Sequence, residues 1–415
     1  MEGIASKTDD VRRTSTTGAS YRRRVIGLSS IASFLFVATY ALKALTDGLY
    51  VAHDVESALV DVKYLTALLA GLCSLPSVLR SKREVLGEPF KKLLVVLFAF
   101  MIFTCLVMLI RGAVNTTCLG LLLKMAIPIF LAYCMLNCLS EDQIYRDMVA
   151  ILVFSIIGYG LEIGFESLSF DALFSASIED SESVTESSHA ASNAIMLCFY
   201  FCYFRKNKVW VVLSILFAIF VFKRLMIVYA IAAFILPLVF DPDRRIKKGW
   251  AVFFKLAFFL AAFAWLWLLL PENGILFYGL FGETQSDFTS GRNQMLVNAL
   301  SHNYVMYGFG SIQAFAGRGI EMDFARLILE VSPLGLALFI WLYWDMACNR
   351  LYGTFVMTFV MAQMLFADSL GTNFAWTLLM ILMGLMAKRP ASGRLFRIHL
   401  AGDNACSAEK GGGPR

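Results

Sequence analysis

The sequence predicts an all-α, polytopic integral membrane protein with about twelve transmembrane helices, and three observations predict it. Hydrophobic residues make up 59% of the 415-residue chain and charged residues only 16%, against roughly 45–50% and about 25% in soluble domains. The mean hydropathy is +0.68, so most of the chain cannot face water. Apolar stretches near the roughly 20 residues that span a bilayer recur along its length. A soluble enzyme is excluded before any motif is read. A net charge of +5 is too small to indicate nucleic acid.

The stretches fall at about 25–45, 57–79, 93–110, 118–138, 148–165, 189–204, 209–222, 225–240, 250–270, 327–344, 353–368 and 374–387. The 209–240 segment is too long for one ordinary span, and Lys223-Arg224 divides it in the middle. Lys and Arg fall unevenly on the two sides. Counted on alternate sides, 26 lie at the N-terminus, in the loops 80–92, 139–147, 205–208, 241–249 and 345–352, and in the tail. Six lie on the other side: Arg111, Lys223, Arg224, Arg292, Arg318 and Arg326. Four lysines, Lys43, Lys63, Lys124 and Lys255, fall within helices. The asymmetry puts both termini in the cytoplasm and, in a Gram-negative cell, the other side in the periplasm.

The chain thus divides into a basic cytoplasmic N-terminus (1–24), helices one to nine (25–270), a long outer loop (271–326), helices ten to twelve (327–387) and a cytoplasmic tail (388–415). The N-terminus is too long and too rich in Ser and Thr for a signal peptide. A second outer loop, 166–188, is acidic without a basic residue and reads as a solvated, poorly ordered segment. The Gly-rich, basic tail reads the same way. Most of the nine cysteines lie in apolar runs and read as packing residues. The four histidines have no partner at metal spacing, so no metal site is expected.

Candidate chemistry lies where positive charge defies the topology rule. Lys223-Arg224 occupies a tight outer turn, and Lys223 alone would be explained by snorkelling to headgroups. Thr289-Ser290-Gly291-Arg292 reads as an N-cap followed by a helix whose apolar face is Met295, Leu296, Ala299 and Leu300. Arginine in a first turn opposes the helix dipole, whereas free amides beside a guanidinium suit a phosphate or diphosphate. The bland reading is a salt bridge to Glu283 or Asp287. Tyr307-Gly308-Phe309-Gly310 reads as a flexible turn. Downstream, Asp323 and Glu330 share one helical face with Arg326 near them. Glu330, a full turn into the span, is the costliest placement.

This arrangement resembles the bacterial O-antigen polymerase and ligase superfamily, with its Wzy-type polymerases and WaaL-type ligases. The resemblance rests on Ser290-Gly291-Arg292, the Gly308-Phe309-Gly310 turn, the Asp-x-x-Arg-x-x-x-Glu-x-x-x-x-Gly segment from Asp323 to Gly335, and the pair Lys223-Arg224. It implies a GT-C-like integral-membrane glycosyltransferase, without a cofactor, acting on undecaprenyl diphosphate-linked oligosaccharide at the periplasmic face of the inner membrane. Arg224 and Arg292 would grip the diphosphate, helped by Lys223, Ser290, Gly291, Arg318, Arg326 and Glu330. Asp323 or Glu321 would take the acceptor's proton. A flippase and a chain-length regulator would be partners, alongside membrane lipid.

Ligases of this kind carry a histidine at the head of the late-loop helix. Here Met322-Asp323 stands there, and His302 lies in a different helix. That departure favours a polymerase over a ligase to lipid A-core. A transporter is the rival of another class, though transporters tend toward two similar halves with midplane sites. A scaffold of glycan export is the last, and it would not need Arg224 or Arg292.

Overall fold

A computed structural model of the chain describes residues 6–53, 55, 57–80, 87–165, 187–221, 223–289, 291–301, 304–317, 319–370, 373–390 and 392–395. The acidic loop at 166–186 and the tail beyond 395 lie outside them, as do Ser290, His302 and Arg318.

The architecture is a helical bundle. Its first half is α1 (Ser6–Leu49), α2 (Leu59–Val78), α3 (Gly87–Arg111), α4 (Thr116–Cys138), α5 (Glu141–Ile163), α6 (Ser188–Phe204), α7 (Lys208–Phe220) and α8 (Arg224–Val239). α9 (Lys248–Leu268) leads into a late region of four short helices: α10 (Gly274–Phe281), α11 (Gln285–Phe288), α12 (Arg292–Ser301) and α13 (Ser311–Ala316). Three further helices follow: α14 (Asp323–Trp344), α15 (Leu351–Phe366) and α16 (Asn373–Lys388). The bundle has two ends. One, called here the late-loop face, carries the late region and the turns before α4, before α8 and before α16.

Among the described residues, seven helices are long and apolar enough to cross a membrane: Gly27–Leu49 of α1, then α2, α3, α4, α5, α9 and the segment Asp323–Ala347. Five more are apolar but shorter: Ala190–Phe204, α7, α8, α15 and α16. Several boundaries differ from the sequence expectation. The helix expected from residue 25 begins at Ser6, and the one expected from 327 begins at Asp323. The 209–240 segment is divided as expected, with α8 starting at Arg224.

Hydrophobicity is distributed as a bilayer demands. α16 is apolar all round, and every residue from Asn373 to Met386 is buried, which is how such a helix must sit. It packs against α4 and α6, and the Tyr40 hydroxyl of α1 donates to the Phe374 carbonyl at 2.8 Å. Outer helices do the reverse, exposing Val228, Ile231 and Leu238 on α8 and Phe253, Leu256 and Leu260 on α9. A belt of this size is untenable in water and ordinary against lipid. Where α1 meets α5 the backbones touch: a Cβ on Gly48 would stand 2.5 Å from the Gly158 carbonyl oxygen. Small residues at a crossing permit that approach.

α14 is interrupted. Ser332 has φ 73° and ψ 166°, a region essentially reserved for glycine, and Pro333 follows it. The break separates Asp323–Val331, under the late region, from the remainder, which packs against α3 and α9. Gly335 is needed just beyond, because a Cβ there would lie 2.7 Å from Val331 Cγ2.

Candidate site in the late region

The late region has a small core of its own, made by Leu269, Phe277, Leu296, Ala299, Ile312, Ile320, Met322 and Ala325. α12 contributes Leu296 and Ala299 as its sequence pattern predicts, but Leu300 of the expected face is exposed. Gln285 fixes the region to the end of α9. Its Nε2 donates to the carbonyls of Leu268 (2.8 Å) and Leu270 (2.9 Å), the first of which belongs to the last turn of α9, where the helix supplies no donor. Thr289 Oγ1 accepts from the Asn293 amide at 3.2 Å and so caps α12 from within the predicted motif.

A buried ion pair fastens the other end. Arg326 Nε stands 3.2 Å from both oxygens of Glu330, and the two side chains are 2% and 0% exposed. Each Glu330 oxygen accepts a second bond, one from the Gly310 amide (2.8 Å) and one from the Ile312 amide (3.1 Å). The carboxylate therefore caps α13 and ties the Gly308–Gly310 turn to α14. Arg326 also reaches Asp368 at 3.8 Å and lies 5.3 Å from the Phe309 ring centroid.

The turn is pinned, which corrects the expectation of a flexible one. Phe309 N donates to Thr104 Oγ1 at 3.0 Å, and the Phe309 and Phe100 rings stack. Gly308 has φ 97°, and a Cβ there would meet Thr104 Oγ1 at 2.5 Å. Beside the turn, Tyr304 and Ser311 share a 2.5 Å hydroxyl contact, and burial pushes the Tyr304 phenol up to about 12.

Asp323 does not stand at the surface as a proton acceptor. It is fully buried, and its Oδ2 accepts from the amides of Ser369 (2.5 Å) and Leu370 (2.9 Å). It anchors the α15–α16 turn. Arg326 and Glu330 likewise belong to the scaffold and not to the exposed surface. The sequence placed these three on one helical face, but it held no sign that the two carboxylates accept from backbone amides of two other loops.

The exposed chemistry is Arg292 with Glu321. Arg292 Nε donates to Glu321 Oε2 at 2.6 Å, and the side chains are 30% and 52% exposed. The expected local partners are not the ones used. Asp287 instead accepts from the Thr284 hydroxyl at 2.6 Å while its own amide is capped by that residue. Gly291, with φ 78°, turns the chain into α12. Lys223 and Arg224 stand at the α7–α8 turn on the same face, Arg224 exposed at the first position of α8. Among the described residues no group of three His, Cys, Asp or Glu could hold a metal ion.

No family model matches the chain, and neither a curated protein nor a solved structure matches it.

Proposed function

We propose that this chain is a bacterial polysaccharide polymerase of the inner membrane, a GT-C-like glycosyltransferase with twelve transmembrane helices. The twelve would be the seven long apolar helices and the five shorter ones, with both termini cytoplasmic and the late region in the periplasm. One observation carries the reading. An arginine with a carboxylate at 2.6 Å is displayed in the open on a late region that Glu330, Gln285 and Thr104 hold rigidly. Preorganised charge on a fixed scaffold is what a developing anion needs.

In the reaction, the bond between the donor sugar's anomeric carbon and the diphosphate oxygen breaks. The acceptor hydroxyl of a lipid-linked repeat unit forms the new glycosidic bond and loses its proton to Glu321. Undecaprenyl diphosphate leaves as the anion, stabilised by Arg292 and by Arg224 of the α7–α8 turn. Arginine suits this because its contact with Glu321 is through Nε, and the two terminal nitrogens form the fork that binds phosphate oxygens. No metal or cofactor enters the scheme.

A surface-polysaccharide gel of a deletion strain tests it. A lipid A-core capped with a single repeat supports the polymerase. Uncapped core with intact lipid-linked polymer would instead indicate the ligase, and an unchanged ladder would refute both.

A further inference from the structure

A second concentration of charge lies within the bundle, away from Arg292. Lys43 of α1, Lys63 of α2 and Lys124 of α4 stand about 9, 6 and 12 Å from the ends of their helices on the late-loop face, at 1.5 Å per residue. Asp47 divides its carboxylate between two of them, with Lys43 on Oδ2 and Lys63 on Oδ1, each at 2.6 Å. Lys63 and Lys124 then meet over one ring: their ammoniums lie 5.9 and 5.4 Å from the Tyr64 centroid. Lys63 lies within electrostatic reach of both other lysines. Among the described residues Lys124 makes no salt bridge. Asp61 stands at the exposed start of α2, and Glu162 lies across a small cleft that Lys43 and Asn193 line, where it accepts from the Ser187 hydroxyl.

The corner has rigid walls. Phe374 stacks on Tyr64 with centroids 5.5 Å apart. The Asn373 amide, oriented to donate, bonds the Lys124 carbonyl at 3.2 Å and the Leu370 carbonyl at 3.3 Å. The first turn of α16 thereby adds its positive dipole end to that of the lysines. Ammonium groups at this depth are costly unless paired, and they mark sites where an anion is drawn in. Snorkelling accounts for a single lysine. It does not account for two converging on one half-buried ring beside a helix start.

The geometry points to a binding site for a lipid-borne phosphate, bounded by Lys63, Tyr64, Lys124 and Asn373 and reached from the late-loop face. Tyr64, backed by the buried Phe374 ring, would lie along the apolar stem, and Lys63 and Lys124 would hold phosphate oxygens. The inference stands apart from the polymerase reading, because it needs only a phosphate.

The test uses purified full-length protein in nanodiscs of phosphatidylcholine. Short-chain phosphatidic acid is the lipid probe, inorganic phosphate is the free one, and binding is read by native mass spectrometry and by intrinsic fluorescence. Wild type is expected to bind phosphatidic acid. Lys124→Met should weaken that binding about tenfold or more, the scale of one charged hydrogen bond, while Lys124→Arg should stay within about threefold. Competition by millimolar phosphate assigns the site to phosphate from either source. Its absence assigns the site to lipid phosphate alone, and both results support the inference. Lys91→Met, an exposed lysine at the opposite end, serves as the control. Undiminished binding in Lys124→Met, equal weakening in Lys91→Met, or no binding of either probe to wild type would overturn it.

Discussion

Arg292 and Glu321, 29 residues apart in sequence, face each other at 2.6 Å at the surface of the late region. Neither is buried, so the pair contributes about 0–1 kcal/mol to stability. A pair that stabilises so little is informative about chemistry, because its removal can be read in activity without loss of the fold. Arg292→Ala should lower polymerisation by roughly 10²–10³, and Arg292→Lys should restore little because lysine lacks the planar fork. Chain-length distributions at matched membrane expression decide it. Full activity in Arg292→Lys would return the residue to an ordinary surface pair.

Glu321→Gln keeps the shape and removes the charge. The proposed proton transfer predicts a loss of about 10²–10⁴ in rate with expression unchanged. Normal long chains in this variant would remove Glu321 from the reaction and leave it as a support for Arg292.

Glu330 should behave in the opposite way. Its loss strands a buried guanidinium and two backbone amides together, so Glu330→Ala should cost about 3–5 kcal/mol, seen as lowered melting temperature and poor membrane yield. Adding Arg326→Met should recover only part of this, since the Gly310 and Ile312 amides stay without acceptors. Complete recovery in the double variant would show that the carboxylate serves Arg326 alone.

Gly308→Ala tests the pinned turn. The new methyl would meet both Thr104 Oγ1 at 2.5 Å and Thr104 Cα at 2.6 Å, at a backbone angle that alanine resists. Thermal stability should fall, and Thr104→Ala should not rescue it because the Cα clash remains. Rescue by that second change would mean that the hydroxyl alone sets the constraint.

Topology is open to labelling. Ser286→Cys should react with a membrane-impermeant thiol reagent added from the periplasm and Gly412→Cys should not, as the basic asymmetry requires. Reaction at Gly412→Cys would reverse the orientation.

The elements legible in the sequence were those fixed by local chemistry. Lys223-Arg224 breaks an overlong apolar run, and a charged pair of this kind cannot sit in mid-span, so the α7–α8 division follows from the letters alone. Thr289 caps α12 from a motif four residues long. The misreadings all involve distance. Asp323 reads as a surface acid until the amides of Ser369 and Leu370, 46 and 47 residues away, are brought against it. The bland alternative for Arg292, a salt bridge to Glu283 or Asp287, named only local carboxylates, whereas the one it meets is Glu321, 29 residues on. Charge pattern states that a side chain needs a counterpart, and only the fold says which one.

The break at Ser332 gives α14 the anatomy of a jointed limb. The segment above the joint bears Arg326 and Glu330, which grip the late region through Gly310 and Ile312, while the segment below is braced by α3 and α9. Rotation about this pivot is opposed from above, because the Gly308–Gly310 turn is tied to Thr104 and Phe100 of α3 and Asp323 is tied to the α15–α16 turn. The joint is held in a backbone angle that glycine adopts freely and serine does not, so Ser332→Gly would loosen it and alanine would not. What looks like a defect in a membrane helix is thus a fixed bend that sets the angle between the segment carrying the late region and the segment braced below it.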